Sequence, residues 1–293
     1  MAQTQIIQRR IRSVKNAGQL TKALEVVAAS RMRRIQESVA KVRHYAELAD
    51  SIMRKIAPSV EAAQHPFFRP GRGNANLYVI FNSDRGQAGA FNANIFNLAH
   101  KAFIADRQAG TASQIIVFGR KGTSHFSRLE HAEMIGAYED VADVPEANVF
   151  ASVIETLSDG MADGRFKSVQ VLHTQFKSTL VHTAAQFQLL PISLGDQPAD
   201  DSAKEDNTVY EFEPMVEAVL EEALRIYFES RLMAARIESA ASENAMRMIA
   251  MGNAHRNASD LADDLTLELN SVRQAAITQE IAEITGGAEA IAA

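Results

Sequence analysis

Residues 83 to 91, Ser-Asp-Arg-Gly-Gln-Ala-Gly-Ala-Phe, are by type and spacing the stretch of this chain best suited to holding a phosphate. The apolar run Leu77–Phe81 precedes them and a helical pattern follows. A strand, a glycine turn and a helix in succession offer backbone N–H groups and the positive end of a helix dipole to an anion. The details weigh against nucleotide chemistry. A Walker loop needs G-x-x-x-x-G-K-[ST], whose Lys meets phosphate and whose hydroxyl meets Mg²⁺; neither residue follows Gly89. A dinucleotide loop needs G-x-G-x-x-G, and only Gly86-x-x-Gly89 is present. Arg85 remains as a phosphate partner. The competing reading is a turn whose glycines let helix and strand pack closely, and the missing Lys and hydroxyl favour it.

Other chemistry is sparse. The chain has no cysteine, which excludes disulfides, thiolate catalysis and cysteine-ligated metals. His173 and His182 straddle a turn without carboxylates at ligand spacing, so they read as surface or core histidines and no metal site is expected. No nucleophile elbow is visible, and no cofactor is expected. Through Ala57 there are 12 Lys/Arg and 4 Asp/Glu, giving 12 − 4 = +8, whereas the whole chain carries −6 and the remainder therefore −14. The basic side chains include Lys22, Arg31 and Arg33. They are not interleaved with aromatics, so acidic protein loops suit them at least as well as nucleic acid.

Three kinds of element would position these groups. Apolar or small residues recur at spacings of three and four through Ile7, Ile11, Val14, Gly18, Thr21, Glu25, Ala28, Met32, Ile35, Val39, Val42, Ala46, Ala49, Met53 and Ile56, a heptad seam weakened at its polar centre. Pro58 and the stretch from His65 to Gly73 end it. The middle alternates strands with helices: strands at Leu77–Phe81, Gln114–Phe118, near Met134, Ser168–Thr174 and Phe187–Ile192, with the last two adjacent, and helices at Ala90–Asp106, after Gly119 and at Ala147–Met161. That alternation predicts a parallel, Rossmann-like sheet. Gln197–Asn207 reads as an acidic loop. From Pro214 a second heptad seam runs through Val216, Val219, Ala223, Ile226, Ser230, Met233, Ile237 and Ala240, and slips phase across the Met-rich stretch holding Met246, Met248 and Met251. It resumes through Ala254, Ala258, Leu261, Leu265, Leu269, Val272 and Ala276, then Ile277, Ile281 and Ile284, with Gly286-Gly287 as the stop.

A helix of this length has more apolar stripe than a small central domain covers. Two long heptad helices at opposite ends of a chain cover each other. The expected fold class is therefore α/β, with a long antiparallel two-helix coiled coil (residues 1–58 and 213–287) into which a Rossmann-like domain (residues 74–212) is inserted. The second helix is longer, so Leu261–Ile284 is expected to project as an apolar partner surface.

Three blocks, Ile11–Arg34, Ser83–Asn92 and Glu238–Ala290, together resemble the γ subunit of F-type ATP synthases. The resemblance implies a non-catalytic rotary shaft that couples ion-driven rotation of a membrane c-ring to ATP synthesis or hydrolysis on neighbouring β subunits. It implies α and β subunits (three of each), the ε subunit and the c-ring as partners. Membrane contact would come only through the complex, at the cytoplasmic face of a bacterial inner membrane. It implies that Asn270, Arg273, Gln274 and Thr278 meet β-subunit loops, with the basic Lys22–Arg34 segment beside them, including Lys22, Arg31 and Arg33. Arg85, Phe91 and Asn92 are implied as contacts at the foot. Where the family commonly has Leu-Cys-Gly-Gly, this chain has Gln87-Ala88-Gly89-Ala90. Without the resemblance, the residues alone leave a coiled-coil scaffold or a nucleotide-binding α/β protein open.

Overall fold

The computed structural model describes residues 2–57, 65–192 and 215–292. Pro58, the acidic loop Gln197–Asn207 and Pro214 lie outside those residues. Helix α1 spans Ala2–Ile56 and helix α5 spans Val216–Ala292. Between them lie β1 (Ala75–Phe81), α2 (Phe91–Gln108), β2 (Ala112–Phe118), α3 (Arg120–Phe126), β3 (Glu133–Tyr138), α4 (Ala151–Ala162), β4 (Phe166–Phe176) and β5 (His182–Leu190). The chain divides into two compact units: residues 1–29 with 247–293, and residues 30–246.

The sheet order is β3-β2-β1-β4-β5. The first four strands are parallel, while β5 runs antiparallel to β4. The turn joining β4 to β5 is too short for a parallel crossover, so a hairpin is the only geometry available. Strand β1 shows why its sequence is apolar throughout. Leu77, Val79 and Phe81 enter one core, and Tyr78 and Ile80 enter the other. Both faces of a parallel sheet are covered, so alternation disappears from the sequence. One face packs on α2 and α3 through Ile95, Ala99, Phe103 and Phe126. The other packs on α4 through Val153, Leu157 and Met161, and on Met53 and Ile56 of α1 and Leu220 to Ala235 of α5.

The seam expected in α1 is the buried one: every named position from Ile7 to Ile56 is buried or half-buried. In the unit formed by the chain ends, Gly18 faces Ala258 and Gly252 faces Glu25, so the helices are antiparallel. A Cβ on Gly18 would sit 3.3 Å from the Ala258 Cβ, and His255 Nδ1 lies 2.9 Å from the Gly18 carbonyl oxygen. The polar middle of the seam is thus a place of close helix approach. In the other unit, Arg43 with Glu238 and Asp50 with Arg231 continue the antiparallel pairing.

The structure corrects three expectations for α5. Leu261 is 48 % exposed, and the buried member is Ala262 at 3 %. From Ala258 the steps to Ala262, Leu265, Leu269, Val272 and Ala276 alternate four and three, a more regular heptad than one through Leu261. The unpaired end is shorter than expected: Ala276 is still half-buried, and only from Ile277 is each described side chain exposed. Finally, Gly286-Gly287 does not stop the helix, which continues to Ala292. The alanine-rich tail restores helix propensity, and the glycines cost only about 1 kcal/mol each.

Candidate functional site

The Ser83–Phe91 turn is held by its own side chains. Asn92 Oδ1 accepts from the Ser83 N–H at 3.1 Å, Asn92 Nδ2 donates to Ser83 Oγ at 2.7 Å, and Ser83 Oγ donates to the Arg85 carbonyl at 2.7 Å. Asp84 Oδ1 accepts the backbone N–H groups of Arg120 and Asp140 at 2.9 and 3.1 Å, tying the turn to the ends of β2 and β3. The N–H of Phe91, which opens α2, is taken by the Ala88 carbonyl at 3.2 Å. Gly119 has φ +104°, and a Cβ there would lie 2.4 Å from the Asn82 carbonyl oxygen. The N–H groups of Ser83 and Phe91 are thus spent on closing the turn, which reads as a packing device. Phe91 is 1 % exposed, and Asn92 is half-buried in this network. Arg85 is exposed.

In open α/β sheets a ligand sits in the crevice beyond the carboxyl ends of the strands, where strand order reverses. Here that place lies between β1 and β4. Their last pair is Ile80 with Leu172, yet β4 continues to Phe176. Beyond β1, α5 takes over the missing strand's role. Ser239 Oγ accepts from the Thr174 N–H at 3.1 Å, and Ser242 Oγ donates to the Thr174 carbonyl at 3.3 Å. Thr174, Ser239 and Ser242 are all at most 3 % exposed. A helix thus packs at the carboxyl end of β4, on one side of that crevice.

A polar ladder surrounds this junction. Arg43 of α1 donates to Glu238 Oε1 at 2.7 Å and to the Phe176 carbonyl at 3.1 Å, so one side chain joins both long helices to β4. His173 Nε2 lies 3.7 Å from Glu238 Oε2. Arg231 of α5 meets Asp50 of α1 at 3.3 Å, and its guanidinium lies 4.5 Å from the centroid of the Phe187 ring on β5. Arg236 donates to the Val141 carbonyl at 2.6 Å. Together with the core shared by α1, α5, α4 and the sheet, these bonds join the base of the helix pair to the sheet within the compact unit of residues 30–246. Residues 235–245 of α5 are buried on every side. A helix contacted all round needs no single apolar stripe, and the heptad phase slips from the end of this segment into the stretch holding Met246, Met248 and Met251.

Electrostatics at the junction follow from burial and partners. Burial acts to raise the Glu238 pKa, but His173 and Arg43 outweigh it through hydrogen bonding and charge, and the carboxyl lies below its ordinary value. At 3.7 Å His173 is beyond direct hydrogen-bond reach, so Arg43 at 2.7 Å is the stronger partner. A carboxylate with a depressed folded pKa contributes stability that is present above its unfolded pKa and lost as pH falls through the folded one. Burial raises Asp50 despite the Arg231 charge, so its contribution runs in the opposite sense. Urea denaturation of the chain between about pH 6 and about pH 3.5 tests this. Below the ordinary Glu pKa of 4.5, the wild type is expected to lose stability more steeply than Glu238→Gln. Parallel pH profiles would show that the ion pair contributes nothing.

A second buried network lies at the amino ends of the strands. Asp106 of α2 accepts from Asn76 Nδ2 and Tyr78 Oη at 2.7 Å and from Ser113 Oγ at 2.8 Å, and Ser168 Oγ donates to Asn76 Oδ1 at 2.7 Å. Asn76, Ser113 and Ser168 are register partners across three strands. Burial, and then the bond to Asp106, push the Tyr78 pKa up, so the phenol stays protonated as a donor. The network fastens α2 to the sheet, at the end opposite to where ligands bind.

Among the other residues singled out in the sequence, Lys22, Arg31, Arg33, Asn270, Arg273, Gln274 and Thr278 are exposed. Lys22 pairs with Glu25 at 3.1 Å, and Thr278 Oγ1 donates to the Gln274 carbonyl at 2.9 Å. Lys22 does not lie beside Asn270 and Arg273. Gly18 faces Ala258 and Glu25 faces Gly252, so in this antiparallel pair Asn270 is level with about residue 7, roughly 22 Å along the axis from Lys22. Sequence reasoning missed Arg43, Glu238, Ser239, Ser242 and Asp106. The signal for the serines was polar residues within Glu238–Asn244, around the point where the apolar seam begins to slip phase.

Comparison with known proteins agrees with this architecture. A family model described as ATP synthase matches residues 3–291. The ATP synthase gamma chain of Heliobacterium modesticaldum is 36 % identical over 291 residues, covering 97 % of this chain and 98 % of that one. That of Stenotrophomonas maltophilia is 34 % identical over 292 residues, covering 99 % of this chain and all of the other. Among solved structures, a chain of the rotor of the Euglena gracilis mitochondrial ATP synthase superposes with a TM-score of 0.64 at 18 % identity, covering 94 % of this chain and 99 % of that one, a likeness of fold. With the inserted sheet, the paired terminal helices and full-length relatives all in agreement, this chain belongs to the ATP synthase gamma chain family.

Proposed function

We propose that this chain is the central rotary shaft of an F-type ATP synthase, turning with a membrane c-ring and driving conformational change on surrounding β subunits. The observation that carries this reading is the junction within residues 30–246. Arg43, Glu238, Ser239, Ser242 and the shared core clamp both helices to the sheet. Torque applied to the sheet then turns the helix pair without slip. Residues 74–212 serve as the foot, and residues 1–58 and 213–287 as the shaft. Three α and three β subunits surround the shaft, with the ε subunit and c-ring at the foot. The complex holds the chain at the cytoplasmic face of a bacterial inner membrane. No described helix is long and apolar enough to cross a membrane itself. In this reading the chain has no active site of its own; α5 packing on the β4 side of the crevice supports it.

Arg85 contributes to the foot surface. Lys22, Arg31 and Arg33 present positive charge to acidic loops of the ring, and Asn270, Arg273, Gln274 and Thr278 meet β-subunit loops higher on the shaft. A charge-assisted hydrogen bond from an exposed guanidinium is among the stronger polar contacts available there. Arg273→Ala, reconstituted with α and β subunits, is therefore expected to lower ATP hydrolysis severalfold. The circular dichroism and melting temperature of the chain should not change, because Arg273 is exposed. Unchanged turnover in normally assembled complexes would refute the role of Arg273. ATP hydrolysis by the purified chain alone would refute the non-catalytic reading.

A further inference from the structure

The aromatic surface shared by α2 and α3 holds two histidines that the shaft function does not use. His100 of α2 and His125 of α3 bring their Nε2 atoms to 3.0 Å, with ring centroids 5.2 Å apart and planes at 78°. Neighbouring rings set both orientations. His125 stacks on Phe96 at 3.9 Å and 9°, and His100 meets Phe103 edge-on at 6.4 Å. Neither imidazole has to lose much rotamer freedom to present its Nε2. As neutral rings they share one proton, with one Nε2–H donating to the other Nε2.

We propose that His100 and His125 form a binding site for one first-row transition metal ion that bridges α2 and α3. Imidazole nitrogen is a preferred ligand of Zn²⁺, Cu²⁺ and Ni²⁺. A tetrahedral Zn²⁺ with bonds of ~2.0–2.1 Å holds two nitrogens ~3.4 Å apart, and a cis pair on tetragonal Cu²⁺ or Ni²⁺ holds them roughly 2.9 Å apart. The observed 3.0 Å lies within that span, so an ion can take the place of the shared proton once the two rings turn their Nε2 lone pairs toward a common point. The donor ring moves its proton from Nε2 to Nδ1, and no proton is released from the neutral pair. Among the described residues no group of three or more His, Cys, Asp or Glu side chains gathers to hold a metal. The protein therefore supplies two ligands and water the others, giving a clamp between helices and not a catalytic centre.

Calorimetric titration of the tag-free full-length chain with zinc chloride, and separately with nickel chloride, tests the site. The expected result is a one-to-one isotherm with a thermal shift that EDTA reverses. His100→Gln and His125→Gln should each weaken binding at least tenfold, while His131→Gln leaves it unchanged. Should either variant fail to fold, paramagnetic resonance of the wild type with one equivalent of copper(II) provides an independent reading, and two equatorial imidazole nitrogens are expected. Undetectable binding of both zinc and nickel up to millimolar concentrations overturns the proposal. So does affinity unchanged in either folded variant, or a copper spectrum with a single nitrogen ligand.

Discussion

Gly160→Val is expected to remove about 3 kcal/mol or more of stability, a large share of the 5–15 kcal/mol available to a typical domain. A Cβ at this position of α4 would sit 2.0 and 2.3 Å from two ring carbons of Phe166. That ring is fully buried and begins β4, so it has nowhere to go. The neighbouring side chains Val153, Leu157 and Met161 belong to the same core as Met53, Leu224 and Phe228. Displacing α4 therefore loosens the seat of both long helices. In an ordinary helix interior, replacing Gly would gain up to about 1 kcal/mol; the steric term is larger and of opposite sign. Urea denaturation measures the loss. A second change, Phe166→Leu, should restore part of it by making room, although it also removes apolar contact. An unchanged unfolding midpoint in Gly160→Val would mean that α4 does not pack as described.

The second large effect is expected from Ser239→Ala combined with Ser242→Ala. Together they orphan the N–H and the carbonyl of Thr174, which is 3 % exposed. A buried polar group left unpaired costs about 1–3 kcal/mol, so the double variant should lose about 2–5 kcal/mol. Ser239→Ala should be the costlier single change. The N–H has one bonding direction, whereas an under-satisfied carbonyl is better tolerated, and the Ser242 bond is the longer at 3.3 Å. Two measurements apply. Amide exchange at Thr174 should accelerate in Ser239→Ala even where the whole chain stays folded. In reconstituted complexes, ATP hydrolysis should continue while its coupling to ion transport falls, because the helix pair slips against the sheet. Native exchange at Thr174 together with full coupling would show that these serines do not carry load.

The two variants probe parts of the molecule that were unequally visible in the sequence. The α1 seam from Ile7 to Ile56 was legible, since heptad spacing is a local property and the buried face follows from it. The strand-helix alternation was legible for the same reason, including the apolar Leu77–Phe81, whose two faces enter different cores. The Ser83–Phe91 turn could be read as lacking a phosphate-binding Lys, but not as closed by Asn92 and Asp84, which act across elements. Leu261 is not a seam residue, because the packing register against the partner helix buries Ala262 instead. Lys22 was set beside Asn270 because sequence blocks carry no axial register; Gly18 and Ala258 supply it. Phe91, implied by the resemblance as a foot contact, has its ring buried in this chain. The Arg43–Glu238 pair joins residues far apart in the chain, and no spacing rule predicts it.

The sequence by itself determined the element types and the two long amphipathic helices, which rest on local periodicity and residue type. Only the tertiary structure decided how the helices are seated. Whether α5 between 235 and 245 shows a stripe, an open face or no face at all depends on what surrounds it. There the surroundings are α1 on one side and the overhanging end of β4 on the other. Burial on all sides converts Ser239 and Ser242 from poor coiled-coil residues into the bonds that complete a strand, because a buried backbone group must find a partner wherever the fold provides one.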